Sequence, residues 1–576
     1  MIRYKNFVAK EDPTFLSCLY ALKETGNRAI IRNNGILSKD SCLRREPMKS
    51  KQRSISLLGW IIGALLLIYL GVFCYLNLCK YAQHVDSDIA AEALLAREIW
   101  EEKDITPNDW ISSTERRIIG MSTVAAPIYG ITGSMQTAVG ITCILLGAIL
   151  LATFYFFLRK LSLSKMASIT ALLVLCALPV NGFRNEGQMV PFVTLLLFLF
   201  AEYYVFHGIF LFLNILFYIK LREERQMNRK TFLAWLVLFV AAVLLNCGGQ
   251  RCLQVIILPL LVVEAIALFA ESGHFKKKLP GGRYLATTYV GSLVIAFLVS
   301  CLYGGRGDYA VYLLQPREMV EKLFLAVPAA ILENFGLAGN AKVGSFASLM
   351  QLLVWAFLVL LGYGLWYVFR RKTESTGRQK DALTILLASV GVTAFIIGIT
   401  SAEAAHYYFF MAWFAAAVLV AVMVDHMSEG QPVFAGLILV AVALFAILNL
   451  KYTYYDAVTT QDNLKEYQEV ADYLTEAGID YGYAEFWDAE RISLITDGEV
   501  TMGHSYTMAS LSGYWWLTST KWYPPALPTE MRTAYVVRTE MREAFEQQFP
   551  EGQVPSLEYE NEKLAVYVGD RNYVEL

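Results

Sequence analysis

The chain has little charge. Of 576 residues only 17% are charged, against 56% that are hydrophobic, and the mean hydropathy is +0.43. Soluble domains carry about 25% charged residues, so this scarcity excludes an ordinary water-soluble enzyme and indicates a polytopic membrane protein. The 49 basic and 51 acidic residues nearly cancel to a net charge of −2, which leaves no electrostatic footprint for nucleic acid. Cysteine is scarce too. The nine are Cys18, Cys42, Cys74, Cys79, Cys143, Cys176, Cys247, Cys252 and Cys301. The C-terminal region therefore has none, so disulfides do not staple it, and no metal-site spacing appears. That absence fits a bacterial cell envelope better than a secretory lumen.

What the chain has in abundance is long apolar runs. A bilayer core of about 30 Å needs about 20 apolar residues per helical crossing. Runs at 56–78, 138–158, 166–180, 189–219, 232–245, 253–269, 284–302, 346–369, 382–399, 407–424 and 433–450 predict about eleven transmembrane helices. The run 189–219 is too long for one straight crossing and contains Glu202 and His207. It reads as a tilted, broken or elongated helix. The two polar residues mark either a polar relay or, the favoured reading, the point where the run leaves the bilayer.

The loops at 159–165, 220–230, 276–278 and 370–372 are strongly basic, whereas the opposite connections are not. The positive-inside rule then places the N-terminus in the cytoplasm and the C-terminus outside. Three pieces are expected outside: 80–135, 303–345 and everything from 452. Residues 1–54 show no cleavable signal pattern and are read as a cytoplasmic extension. Residues 55–451 form the membrane domain, and 452–576 a small extracytoplasmic α/β domain. In that last region helical periodicity over 464–477 precedes strand-like segments at 481–486, 533–537 and 564–568, with a charged helix candidate at 540–548.

The first outside loop holds the chemistry. In His84-Val85-Asp86-Ser87-Asp88-Ile89 two carboxylates stand just beyond the first run, and Asp88, Glu92, Leu95 and Ile99 recur at helical spacing. A second amphipathic stretch follows from Ser113, and the loop is suited to lying on a membrane surface. A carboxylate at a membrane edge can deprotonate an acceptor hydroxyl while a sugar leaves a lipid-linked phosphate. Phosphate is a good leaving group, so one base plus cations suffices. The bland alternative is that Asp88 caps a helix beginning at Ile89.

The segment resembles the first extracytoplasmic loop of the GT-C glycosyltransferase superfamily, in particular the protein mannosyltransferase and aminoarabinose transferase (family 39-like) branch. There an Asp after the first span opens a helix, Ala-Arg-Glu follows eight to ten residues on, and a Trp-containing turn lies beyond. Here Asp88 takes the place of the catalytic Asp, Ala96-Arg97-Glu98 matches the triplet, and Trp110 follows in Thr106-Pro107-Asn108-Asp109-Trp110. Ile89 stands where that branch has an adjacent acid, and Asp86 precedes instead. Which Asp is the base, and whether Asp86 and Asp88 hold a divalent metal, stay open. By this resemblance Arg97, Glu98 and Trp110 belong to the substrate site.

For the donor phosphate the candidates are Arg184, Arg251 and Arg306, each in a glycine-bearing loop at a span end, where guanidinium geometry suits phosphate oxygens. Headgroup pairing or snorkelling is the competing explanation. His406-Tyr407-Tyr408 resembles the family's Arg-Tyr entry to a late span, and an interfacial aromatic belt competes with that reading. Tyr514-Trp515-Trp516 and Lys521-Trp522-Tyr523 are aromatic clusters for which core packing is the commoner role and sugar stacking the rarer one. His504 reads as structural.

Together these expectations describe an integral-membrane, hexosyl-type glycosyltransferase of the bacterial plasma membrane. It would move a sugar from a polyprenyl-phosphate donor to an extracytoplasmic protein, glycan or lipid. The rival classes are a lipid-linked-substrate transporter or flippase, without the internal repeats that class shows, and a non-catalytic protein binding wall polymer.

Overall fold

The computed structural model describes residues 57–113, 118–177, 192–223, 228–249, 251–270, 290–295, 297–298, 311–337, 342–370, 374–459, 464–528 and 530–574. The N-terminal extension, Arg184 and Arg306 lie outside them, as do parts of the expected spans at 166–180 and 284–302. Among the described residues eight helices are long and apolar enough to cross a membrane: Leu57–Cys79, Met135–Lys160, Val205–Glu223, Arg229–Cys247, Ala347–Arg370, Gly377–Ile399, His406–Gly430 and Pro432–Thr459. Two shorter apolar helices, Lys165–Ala177 and Leu253–Ala267, fall in further expected runs. The described residues thus account for eight full-length spans rather than eleven.

Helix Met411–Gly430 is the hub. Nearly all of it is buried, from Met411 through Val424, and it packs against Lys165–Ala177, Glu374–Ile399, Phe346–Arg370 and Pro432–Asn449. Its alanines at 412, 415, 416, 417 and 421 let neighbouring backbones approach, as small residues do where lipid gives no hydrophobic drive to associate. Phe414 closes an aromatic cluster with Phe212 (4.7 Å between centroids), which stacks in turn on Phe154 at 4.8 Å.

The run 189–219 is broken. A short helix, Phe192–Phe198, stops and a second begins at Val205. Between them Phe200 and Glu202 take φ values of 50° and 43°, a left-handed backbone that costs a residue with a Cβ about 1–2 kcal/mol. Breaking a helix inside an apolar layer orphans backbone groups. Asn77, buried near the end of the first span, answers this. Its Nδ2 donates to the Phe198 carbonyl at 2.9 Å and its Oδ1 accepts from the Phe200 N–H at 3.1 Å.

At one end of the bundle the connections are ionic and polar. Arg378 pairs with Glu223 at 2.6 Å, Gln379 donates to the Leu161 carbonyl, and Asp425 accepts from the Ser164 N–H. At the other end sits the sheet domain. Its strands are β2 (Tyr481–Glu485), β3 (Thr501–Ser505), β5 (Thr533–Arg538), β6 (Ser556–Glu560) and β7 (Leu564–Gly569), in the order β3-β2-β5-β7-β6. β2 is parallel to β3 and β5, and β7 is antiparallel to β5 and β6. Helices Lys465–Glu476 and Phe486–Ile495 share a core with the sheet through Tyr467, Val470, Leu474, Ile492, Val536 and Val566. The helix and the strands expected at 464–477, 481–486, 533–537 and 564–568 are present. β3, β6 and helix Phe486–Ile495 are additions.

The first loop clasps this domain. Its helix Ser87–Glu102 lies between helix Met121–Thr132 and the domain helix Phe486–Ile495. The second stretch expected from Ser113 is helical from Met121. Strand β1 (Trp110–Ile111) pairs antiparallel with β4 (Thr518–Ser519) of the domain. The loop helix is therefore a filling between two layers, which explains why Ala90, Ala91, Ala93, Leu94 and Ala96 are buried.

Candidate active site at the loop–membrane junction

The two acids part company at the start of the loop helix. Asp86, not Asp88, is the N-cap: its Oδ1 accepts from the Ile89 N–H at 3.0 Å, and the helix begins at Ser87. The alternative in which Asp88 merely caps the helix does not hold, because a cap must stand before the first helical residue with extended backbone, as Asp86 does at φ −94°, ψ 178°. Asp88 falls in the first turn, where the helix dipole favours a negative charge. Burial pushes the Asp86 carboxyl above its usual range, against the Ile89 N–H and the Arg491 guanidinium of the domain, which pull it down.

Asp88 is held from the membrane side by its own backbone: the Tyr203 hydroxyl donates to the Asp88 carbonyl at 2.7 Å. From the domain side comes Tyr514, whose hydroxyl is raised by burial first and then by the Asp88 charge.

Tyr203 and Tyr204 occupy the end of the helix break. Tyr204 stacks on Phe410 at 5.0 Å and 13° between planes, and the Arg251 guanidinium lies 5.1 Å from the Tyr204 ring and 4.0 Å from the Tyr408 ring. Arg251 is followed by a single π-helical segment, Leu253–Ile257, the type of local widening that recurs at functional positions. Tyr408 meets Tyr407 edge-on at 4.6 Å, Tyr407 meets His406 at 5.5 Å, and His406 Nδ1 is 3.6 Å from Glu333 Oε1. Tyr203, bonded to the Asp88 carbonyl, is followed in the chain by Tyr204, from which contacts run on to Arg251, Tyr408, Tyr407, His406 and Glu333.

Arg97, Glu98 and Trp110 are committed elsewhere. Arg97 Nη1 donates to the Gly498 carbonyl of the domain at 2.9 Å while its Nε pairs with Glu101 at 2.8 Å. Glu98 faces Lys521 of the domain at 3.6 Å, and Glu102 and Asp109 share that lysine. Burial, then the hydrogen bond with Glu102, pushes Glu98 up to about 7. Trp110 is buried in β1, edge-on to Trp522 at 5.9 Å. All three bind the loop to the domain.

Glu202 and His207 are both enclosed by protein. Glu202 is 1% exposed in the helix break, and neither of its carboxylate oxygens has a hydrogen-bond partner among the described residues; His207 is buried one turn into the next helix, edge-on to Tyr204 at 6.0 Å. The long run turns inside the protein, so its polar residues are enclosed rather than delivered to water. His504 is buried as well, with Nδ1 3.0 Å from Glu490 Oε2. Among the described residues no group of three or more His, Cys, Asp or Glu is placed to hold a metal ion, and Asp86 is engaged as a cap.

Sequence reasoning missed Tyr203, Tyr204 and Arg491, and named Tyr408 and Tyr514 only within their aromatic segments. Tyr203 and Tyr204 carried a signal, since they follow Glu202 in a run too long for one crossing. Arg491 carried none, because only the docking of the domain brings it toward Asp86.

No protein-family model and no curated protein sequence matches this chain. Solved structures do. The chain is similar to ArnT from Cupriavidus metallidurans bound to undecaprenyl phosphate, with a TM-score of 0.55 at 10% identity over 88% of this chain and 98% of that one. It is similar to the same ArnT in the apo state with a TM-score of 0.51 at 11% identity, over 89% and 98%. The chain thus shares the fold of these ArnT structures.

Proposed function

We propose that this chain is an integral-membrane glycosyltransferase that transfers a sugar from a polyprenyl-phosphate donor to an acceptor outside the membrane. The observation that carries the reading is that Asp88 and Arg251 contact adjacent tyrosines of the helix break, Tyr203 and Tyr204. The contact reaches Asp88 through its backbone carbonyl, and it supports a reading in which Asp88 and Arg251 serve one site beside the helix break. The undecaprenyl phosphate held by the similar ArnT supports a donor of that class. The orientation is supported by the basic connections of the sequence, of which Lys160 and the segment ending at Glu223 meet at Arg378.

In this mechanism the Asp88 carboxylate takes the proton of an acceptor hydroxyl as its oxygen attacks the anomeric carbon. The bond from that carbon to the phosphate oxygen breaks, and its electron pair leaves with the polyprenyl phosphate. Arg251 balances the phosphate charge. A guanidinium seated on two aromatic faces keeps its N–H fork directed and loses little freedom on binding. Arg184 and Arg306 are further candidates for the same charge, His406 and Tyr407 border the donor, and Asp86 fixes the helix that presents Asp88.

Asp88→Asn tests the base. Release of polyprenyl phosphate from a polyprenyl-phosphate sugar should fall by about 10²–10⁴-fold, the usual share of general-base catalysis, with folding intact. Unchanged turnover would refute the role.

A further inference from the structure

Four rings run across the part of the domain that meets the loop helix. Trp487 lies 5.0 Å from Phe486, Phe486 lies 5.9 Å from Tyr514, and Tyr514 lies 5.7 Å from Tyr506. Phe486 is buried, but Trp487 is 50% exposed and Tyr506 72%. The domain core has no need of them, since it is already filled by Tyr481, Tyr483, Tyr523, Tyr535 and Tyr567. Large exposed rings grouped in this way mark a binding surface rather than scattered surface residues.

The patch is rigidly built. β3 is an edge strand, and the turn after it folds back so that the Tyr514 N–H donates to the His504 carbonyl at 3.1 Å and the Tyr506 N–H to the Ser512 carbonyl at 3.0 Å. Ser505 Oγ donates to the carbonyls of Thr507 and Ser512. Beneath, His504 is locked between Glu490 and the Tyr523 hydroxyl, which donates to the His504 carbonyl and accepts from its N–H. Tyr514 is thereby fixed against Phe486, on the domain helix that packs on the loop helix carrying Asp88.

The chemistry of the patch narrows its ligand. From 499 to 520 the chain has no Lys or Arg, so the turn offers nothing to a phosphate, and a membrane-binding surface would carry cations on its polar side. Flat apolar ring faces with hydroxyl tips instead match a neutral sugar, which shows one face of C–H bonds and an edge of hydroxyls. We propose that Trp487, Tyr506 and Tyr514 form the acceptor subsite, and that the acceptor presents a neutral sugar lying on these rings with a hydroxyl directed toward Asp88. The inference rests on the glycosyltransferase reading and names its acceptor as a glycan.

The test uses the full-length protein in nanodiscs with three neutral probes, maltotetraose, cellotetraose and chitotetraose, followed by saturation-transfer NMR. At least one should bind saturably, and Trp487→Ala and Tyr506→Ala should each raise its Kd about fivefold or more, the share of one aromatic contact. Tyr506→Phe, which keeps the ring, should lose less. Undecaprenyl phosphate binding should stay within about twofold in all three variants, which shows that the fold survives. The proposal is overturned if none of the probes binds the wild-type protein, or if both alanine variants bind as it does. It fails separately from the catalytic reading: unchanged turnover in Asp88→Asn removes the enzyme but leaves the sugar-binding rings standing.

Discussion

Asn77→Ala is the sharpest structural test, because the Asn77 side chain bonds backbone groups at two positions of the helix break. The side chain is 1% exposed and makes two bonds to backbone, one to the Phe198 carbonyl at 2.9 Å and one from the Phe200 N–H at 3.1 Å. Truncation leaves a buried acceptor and a buried donor unpaired, each at a cost of about 1–3 kcal/mol. Relaxation recovers part of this, so a loss of about 2–4 kcal/mol is expected. The effect should also reach the site, since the break it closes carries Tyr203 to the Asp88 carbonyl and Tyr204 to Arg251. The assay is thermal unfolding of the purified protein in nanodiscs together with undecaprenyl phosphate binding. Leu67→Ala serves as the control, because Leu67 is 70% exposed on the bundle surface. Asn77→Ala should lower the midpoint by several degrees more than Leu67→Ala and weaken lipid binding. Equal midpoints for the two variants would refute the claim that Asn77 holds the break.

Two further outcomes are expected. Asp86→Ala removes the acceptor of the Ile89 N–H and should destabilise the loop helix by about 1 kcal/mol, whereas Asp86→Asn, which still caps, should cost only a few tenths; hydrogen exchange over 87–92 distinguishes them, and equal protection would contradict the capping assignment. Glu98 has a folded-state pKa raised to about 7 from an ordinary carboxylate value near 4.5, so the folded protein holds its proton more tightly than the unfolded chain. The stability that proton contributes is complete below about pH 4.5 and is lost as pH rises through about 7. Thermal midpoints should therefore fall between pH 6 and 8 in the wild type, and by less in Glu98→Gln; parallel pH profiles would refute the assignment.

The membrane spans and most elements of the sheet domain were legible because their signals are local. Apolar runs of about 20 residues, strand alternation and the Gly478 stop each declare themselves within a short window. The helix break was not, because 195–205 contains no Gly or Pro. Phe200 and Glu202 take left-handed backbone there, and the Phe200 N–H is satisfied by Asn77, 123 residues away in the chain, which no local pattern reveals. The cap itself was not legible: Asp86 and Asp88 are both good cap residues by type, and only the observed helix start at Ser87 assigns the role to Asp86. In the candidate site Arg251 and the 406–408 segment were legible as charge and aromatics at span ends. Arg97, Glu98 and Trp110 were read as substrate contacts, yet they bind the domain through Gly498, Lys521 and Trp522. A loop motif is silent about which of its side chains a distant domain will occupy.

The central claim is a phosphate site at Arg251 beside the same tyrosine pair as Asp88, and native mass spectrometry of undecaprenyl phosphate bound to the purified protein tests it most directly. The account predicts that Arg251→Ala lowers affinity by about tenfold or more, the worth of one charge-assisted contact, while Asp88→Asn leaves it unchanged. Equal affinity in wild type and Arg251→Ala would contradict it.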